Sequence, residues 1–353
     1  MEHHAGDSEG GGGAGKQEVS DAMILAGDLG GTKCNLGLFR EQSGGLEMVI
    51  SRRYATREYS KQSFEAVLKE FSEYVAGANG DLRKTKISAA GFGAAGAVIN
   101  GVLHPTYVPW PLEAKKLGSH LGVNRVRLLN DVEAAAFSLP HLTGRDVIAL
   151  NEVEAPEHAT RSLIAAGTGL GEAILFWDGK RYHALPTEGG EGDFAPASEQ
   201  EIELLRFARK KFDRVAVEEI VSGSGFRLIH EFLDAGLQHA SFSRPAWDAA
   251  EEITQNASSG SCAVCKKSVE LWIAAYASEA GNLALRTLAW GGIYVGGGIA
   301  PKILPQLKEH NFAKKFLSKG RFAEMLGRIP LYVVVNQDAP LWGAAYEALA
   351  SSN

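Results

Sequence analysis

The segment Gly27-Asp28-Leu29-Gly30-Gly31-Thr32-Lys33 constrains this chain more than any other. An apolar run, Met23 to Ala26, leads into it, and a second apolar run through Leu36 to Phe39 leads out. A strand, a tight glycine turn and a returning strand predict a β-hairpin rather than the strand-to-helix turn of a P-loop. Glycines lack side chains, so the backbone of such a turn can approach a ligand closely and aim its amides at an anion such as a phosphate. Asp28, at the end of a buried strand, is placed to hold a hydrated magnesium ion.

A length of 353 residues, 45% of them apolar, supports two domain cores. The chain carries 36 basic residues against 42 acidic ones, a net charge of −6 with no basic run. Neither nucleic acid nor an anionic membrane is therefore an expected partner. No uncharged stretch approaches the roughly 20 residues that span a bilayer, and no apolar h-region opens the chain. A cytoplasmic protein is expected. Cys34, Cys262 and Cys265 cannot form a disulfide framework. Residues 1–21 are rich in glycine and offer nothing from which to build a core, so they read as a flexible tail.

Beyond the hairpin, Leu46 to Ala55 reads as a strand, and Ser63 to Ala78 places Phe64, Val67, Leu68, Phe71 and Tyr74 at helical spacing. A strand at Ile87 to Ala90 enters Gly91-Phe92-Gly93-Ala94-Ala95-Gly96, a formal match to the dinucleotide fingerprint. That fingerprint needs a helix next. Asn100-Gly101 between apolar runs predicts a hairpin instead, which excludes a nicotinamide site here. Val126 to Leu129 reads as a strand ending at Asn130-Asp131, with a helix from Glu133 to Leu139. A second glycine hairpin follows: strand Ser162 to Ala166, turn Gly167-Thr168-Gly169-Leu170-Gly171, strand Ala173 to Trp177. Two hairpins of one form suggest a duplicated unit, each half giving one phosphate loop. Helical patterns dominate from Glu199 until a buried strand ends in Gly296-Gly297-Gly298, where a flat ligand can lie on bare backbone. Leu331 to Val335 reads as the last strand and Pro340 to Leu349 as the last helix.

Six motifs occur in order: GDLGGTK at 27–33, LLND at 128–131, AAGTGLG at 165–171, PTEGGEGDFAP at 186–196, EEIVSGSG at 218–225 and YVGGGIAP at 294–301. On these the chain resembles the bacterial-type glucokinases, hexokinase-like sugar kinases of the actin-like ATPase superfamily, over about residues 22–350. The resemblance implies an α/β protein of two actin-like (ribonuclease H-like) domains with a ligand cleft between them. The small domain would hold residues 22–131 plus 338–353, and the large one 132–337. It implies phosphorylation of D-glucose at the 6-hydroxyl, with ATP and Mg2+ as cofactors and glucose as the small-molecule partner; a homodimer is the expected assembly. Gly27, Asp28, Gly30, Gly31 and Thr32, with Gly167, Thr168 and Gly169, would hold the polyphosphate, and Gly297 and Gly298 would lie beside the adenosine.

A sugar hydroxyl has a pKa far above 7 and needs a base as it attacks; phosphoryl transfer needs little else besides positioning and charge neutralisation. Asp131 is the candidate base and holds the place of the family's catalytic aspartate, the alternative being an ordinary helix N-cap. Sugar hydroxyls need paired donors and acceptors. Asn130, Asp131, Glu188 and Glu218 match the family's sugar-binding positions, and Glu191 stands where a histidine is usual. Gly93-Ala94 replaces a usual Gly-Pro, and Thr106-Tyr107-Val108-Pro109-Trp110 lacks a usual asparagine. These departures concern which hexose is used, with fructose, mannose and glucosamine as alternatives. Glu188, Glu191 and Glu218 would crowd one sugar edge unless a donor intervenes, a crowding that a cationic 2-amino sugar would relieve. A sugar-sensing regulator on this fold would need a helix-turn-helix ahead of the first motif, for which the residues before Gly27 are too few. A non-catalytic protein would not need an intact Asp131. Cys262-x-x-Cys265 has zinc spacing, but no second cysteine or histidine pair accompanies it, so packing is expected and no metal by direct ligation. Trp247, Trp272, Tyr276 and Trp290 fall on patterns expected of the core.

Overall fold

The glycine hairpin forms as expected. β1 (Ala22–Leu29) and β2 (Lys33–Gln42) run antiparallel, with Asp28 opposite Asn35 and Leu29 opposite Cys34. The computed structural model describes residues 22–42, 45–78, 86–234 and 249–351; the segment 1–21 and Trp247 lie outside the described residues. β3 (Gly45–Ala55) extends the hairpin, and β4 (Lys86–Ala94) adds in parallel on the other side of β1. β5 (Gly96–Ile99), β6 (Val102–Pro105) and β7 (Leu112–Glu113) form a separate antiparallel sheet. Its first turn is Asn100-Gly101, with φ of 51° and 78°, the hairpin that stands in place of a dinucleotide helix. β8 (Val126–Asn130) returns parallel to β4 and completes the order β3-β2-β1-β4-β8.

The second large sheet is built from β9 (Val147–Ala149), β10 (Arg161–Ala166), β11 (Leu170–Trp177), β12 (Tyr182–Thr187), β13 (Ile293–Gly296) and β14 (Leu331–Val334). Its order is β12-β11-β10-β13-β14-β9. With the edge strand β9 set aside, both sheets run third, second, first, fourth, fifth in chain order. Both also have the same directions: antiparallel through the hairpin, parallel beyond it. The unit is present twice, as the paired glycine turns predict. β12 escapes the sequence reading because it is a half-exposed edge strand with no apolar run.

Both faces of the central strands are buried, so their residues alternate between two cores. From β1, Met23 and Leu25 pack with Phe64, Val67 and Phe71 of the helix Phe64–Ala78. Tyr74 departs from the predicted stripe. It is 38% exposed beneath the Arg52 guanidinium, 4.8 Å from its ring, and Val75 takes the buried place. Ile24 and Ala26 point the other way, toward the helices Asp131–Ser138 and Ala339–Ala350. Leu163, Leu175 and Tyr294 of the second sheet join that same cluster, so this pair of helices forms a layer shared by both sheets. The contact is tight enough to demand glycine. A β-carbon at Gly343 would lie 1.7 Å from Ala134 O, and one at Gly91 would lie 2.2 Å from Ala344 O. The far face of the second sheet carries the largest core, where Trp272 and Tyr276 of the long helix Ala263–Thr287 are fully buried. Among the described residues no helix is long and apolar enough to cross a membrane.

Candidate active site

β8 delivers Asn130 and Asp131 to the start of the helix Asp131–Ser138, and the two divide the work there. Asn130 is the N-cap. Its Oδ1 accepts from the amides of Val132 (2.9 Å) and Glu133 (3.4 Å), while Glu133 Oε2 accepts from Asn130 N at 3.2 Å. Asn130 Nδ2 donates to Gly96 O at 3.2 Å, which leaves one amide hydrogen for a ligand. The capping alternative for Asp131 therefore falls to its neighbour. Asp131 sits at the first helical position, where its Oδ1 accepts from Val132 N at 3.0 Å. Burial pushes its carboxyl above the usual carboxylate range, against the pull of that amide, and the charge of Glu188 pushes the same way.

Asp28 stands at the end of β1. Its Oδ2 accepts from Asn35 Nδ2 at 3.2 Å, and Asn35 Oδ1 accepts in turn from Arg53 Nε at 2.7 Å. Burial first, and the charge of Asp131 second, raise the Asp28 carboxyl from 3.8 to about 6. The two aspartates line one cavity of about 190 Å³ together with Ala165, Gly297, Gly298 and Asn336, so both sheets contribute to its walls. A carboxyl that titrates higher in the folded chain than in the unfolded one opposes folding once ionised. Its stability contribution is intact below about pH 4 and is lost as the pH rises through about 6. Asp28→Asn is therefore expected to raise the Tm at neutral pH by the equivalent of about 1–3 kcal/mol and to change it little near pH 4. Thermal denaturation at both pH values checks this, and a variant less stable than the parent at neutral pH contradicts it.

The glycine turns flank this cavity without all serving it. Gly27 does not reach the surface: it is buried mid-strand, and a β-carbon there would meet Phe92 at 2.7 Å and Leu36 at 3.0 Å. Packing between β4 and β2 by itself requires a glycine at this position. Gly30 donates its amide to Lys33 O at 2.9 Å, and Thr56 fastens the turn by donating to Gly30 O and Thr32 O. Gly31 and Thr32 are exposed, and Gly31 abuts the Cβ of Tyr107, 2.9 Å from where its own would be. In the second turn Gly167 N donates to Gly169 O at 2.8 Å, Gly223 N donates to Gly167 O at 2.9 Å, and Thr168 is exposed. The third turn lies on the end of β10. Gly297 has a φ of 83°, and a β-carbon there would lie 2.2 Å from Ala166 O.

The glutamates separate. Glu188 precedes two glycines that leave no room for side chains: a β-carbon at Gly189 would lie 2.2 Å from Glu172 Oε2, and one at Gly190 would lie 2.1 Å from Leu170 O. Glu218 accepts from Leu170 N at 2.7 Å and fills the space beside Gly169, so it braces the second turn from below. Glu191 is half-exposed, and Arg214 Nη2 donates to its Oε2 at 2.8 Å. Arg214 is the donor whose absence the crowding argument requires, and it removes the reason to expect an amino sugar. Arg214, the Asn35–Arg53 relay and Glu172 were not legible as site residues. Only Glu172 left a trace, as a carboxylate inside the apolar strand Leu170–Trp177; burial, then Glu279, pushes it up to about 7.

The family model described as glucokinase matches residues 25–351 of this chain. The glucokinase of Nostoc sp. strain PCC 7120 is 35% identical over 341 residues, covering 92% of this chain and 98% of that protein. Among solved structures, a glucokinase from an Antarctic psychrotroph superposes with a TM-score of 0.82 at 24% identity, covering 93% of this chain and 99% of that one. A ROK family glucokinase from Streptomyces griseus, in complex with glucose and AMPPNP, superposes with a TM-score of 0.59 at 20% identity, covering 93% and 100%. The shared architecture is the two-domain actin-like fold.

Proposed function

The chain belongs to the glucokinase family, and from that premise we propose how its residues carry ATP-dependent phosphorylation of glucose. Asp131 takes the proton of the sugar 6-hydroxyl as that oxygen attacks the γ-phosphorus. The bond from the γ-phosphorus to the β,γ-bridging oxygen breaks, and ADP leaves with the electron pair. The observation that carries this reading is the division of labour at the start of the helix. Asn130 caps it, while Asp131, half-buried and with its carboxyl pushed upward by desolvation, lines the cavity between the two sheets.

The turns at Gly30–Thr32 and Gly167–Gly169, exposed at Gly31, Thr32 and Thr168, offer backbone at those exposed residues and the hydroxyls of Thr32 and Thr168 to the polyphosphate, with Gly297 and Gly298 beneath the adenosine. The AMPPNP in the Streptomyces griseus relative supports ATP as the donor. Mg2+ fits the residues present, because a half-buried, desolvated aspartate beside a second carboxylate is relieved by a divalent cation. Asp28 would hold that ion through water, and the charge it supplies when bound neutralises the phosphates. The remaining amide hydrogen of Asn130, with Glu188 and Glu218, is assigned to the sugar hydroxyls. Glu191 acts through its pairing with Arg214. We divide the chain into lobes at 22–131 with 338–353, and 132–337; their closure over the sugar expels water, which would otherwise accept the phosphoryl group. A coupled assay with MgATP over glucose, fructose, mannose and glucosamine tests the reading. Glucose is expected to give the highest kcat/KM and glucose 6-phosphate as product; no turnover, or a clear preference for another hexose, contradicts it.

A further inference from the structure

Cys262 and Cys265 lie apart from the cleft, and the fold gives them a third companion. His230, in the last turn of the helix Gly223–Leu233, comes to the N-terminus of the helix Ala263–Thr287, where Cys262 is the N-cap. The ligand atoms of His230, Cys262 and Cys265 all lie within 4.8 Å of one another, the one such grouping of histidine, cysteine and carboxylate side chains among the described residues. The sequence expectation of plain packing rested on the lack of a second ligand pair nearby in the chain. Tertiary structure supplies the histidine from 32 positions before Cys262.

We propose that His230, Cys262 and Cys265 form a zinc site that staples these two helices together. Two thiolates and an imidazole suit Zn2+ and exclude the oxygen-seeking Mg2+ and Ca2+. Zinc bonds of about 2.3 Å to sulfur and about 2.0 Å to nitrogen in a tetrahedron place ligand atoms about 3.5–3.8 Å apart. The observed ligand atoms, all within 4.8 Å of one another, lie at most about 1 Å farther apart than that. His230 and Cys265 are buried, at 1% and 0% exposure, whereas Cys262 is partly open, so water completes the fourth position from its side. The amide of Cys265 already donates to Cys262 Sγ at 3.1 Å, which stabilises a thiolate there, and the helix N-terminus favours the same charge.

The staple bears on the nucleotide side of the molecule through rigid packing. The helix it anchors donates from Trp272 Nε1 to Ser222 O at 3.1 Å. It also donates from the Tyr276 hydroxyl to Ile164 O and Gly296 O, at 2.9 and 3.3 Å, in the two strands that lead into the second and third glycine turns. A disulfide between the two cysteines would make no use of His230, so the imidazole favours the metal over the disulfide.

The test uses the full chain, without a tag, grown and purified with zinc present. About one zinc per chain is expected, removed by a chelator with a fall in Tm that added zinc reverses. Cobalt in its place is expected to give the visible bands of a tetrahedral thiolate site. Cys262→Ser changes the partly exposed ligand and is expected to weaken zinc binding by about tenfold or more while glucose turnover persists. If His230→Gln or Cys265→Ser fails to fold, cobalt titration of the unaltered chain and Cys262→Ser still decide the matter. Metal content near zero with no cobalt spectrum, unaltered zinc binding in Cys262→Ser, or a Cys262–Cys265 disulfide in the freshly purified protein each overturns the proposal.

Discussion

Gly297→Ala, the addition of one methyl group, is expected to lower kcat/KM for ATP by about a hundredfold and to leave glucose binding within a few-fold of the parent. The backbone at 297 has a φ of 83°, where any β-carbon is strained at a cost of about 1–3 kcal/mol. The new carbon would also lie 2.2 Å from Ala166 O and 2.8 Å from Ala166 N, and neither is a flexible side chain. Overpacking of this kind costs about 1–3 kcal/mol more. Relief requires the end of β10 to move, and β10 leads straight into the turn at Gly167–Gly169. The Tyr276 hydroxyl ties both neighbouring strands together and resists that movement. Gly298→Ala is the control. No atom lies within 4 Å of a β-carbon at that position, and its backbone is free of the positive φ, so its Tm is expected to stay near that of the parent. Steady-state kinetics in each substrate, with thermal denaturation, separate the two variants; equal behaviour contradicts the account of the third turn.

Much of this was legible in the sequence, and what was not shares a physical cause. Local pattern sufficed for both glycine hairpins, for the Asn100-Gly101 turn and for Asp131 at a strand end, because each depends on residues within a few positions. The duplication was also legible, since the form of the turn reveals the form of its unit. Partnerships across the chain were not. Nothing near Glu191 names Arg214, and nothing near Cys262 names His230, because folding alone brings them together. The packing around Gly27 was hidden for a related reason. In the motif that glycine looks like its neighbours, yet Phe92 from β4 and Leu36 from β2 close over it. The short helices Leu304–Glu309 and Phe312–Phe316 were missed because each spans too few turns to display a periodicity.

The central claim is that Asp131 removes the proton from the attacking hydroxyl, and Asp131→Asn addresses it. An amide keeps the shape of the carboxylate and can still accept from Val132 N, as Asp131 Oδ1 does at 3.0 Å, so the helix start is preserved. Asn130 caps the helix independently, and the variant also removes the negative charge that Asp28 faces. The fold should therefore survive, and only proton acceptance is lost. Removing a positioned base typically slows turnover by about 10²–10⁴-fold. The decisive measurement is kcat at saturating glucose and MgATP, paired with calorimetric glucose binding to the same variant. The account predicts a fall of about 10²–10⁴-fold in kcat with the glucose Kd changed less than about tenfold. Turnover within about tenfold of the parent, with glucose bound normally, would contradict it and move the base elsewhere in the cleft.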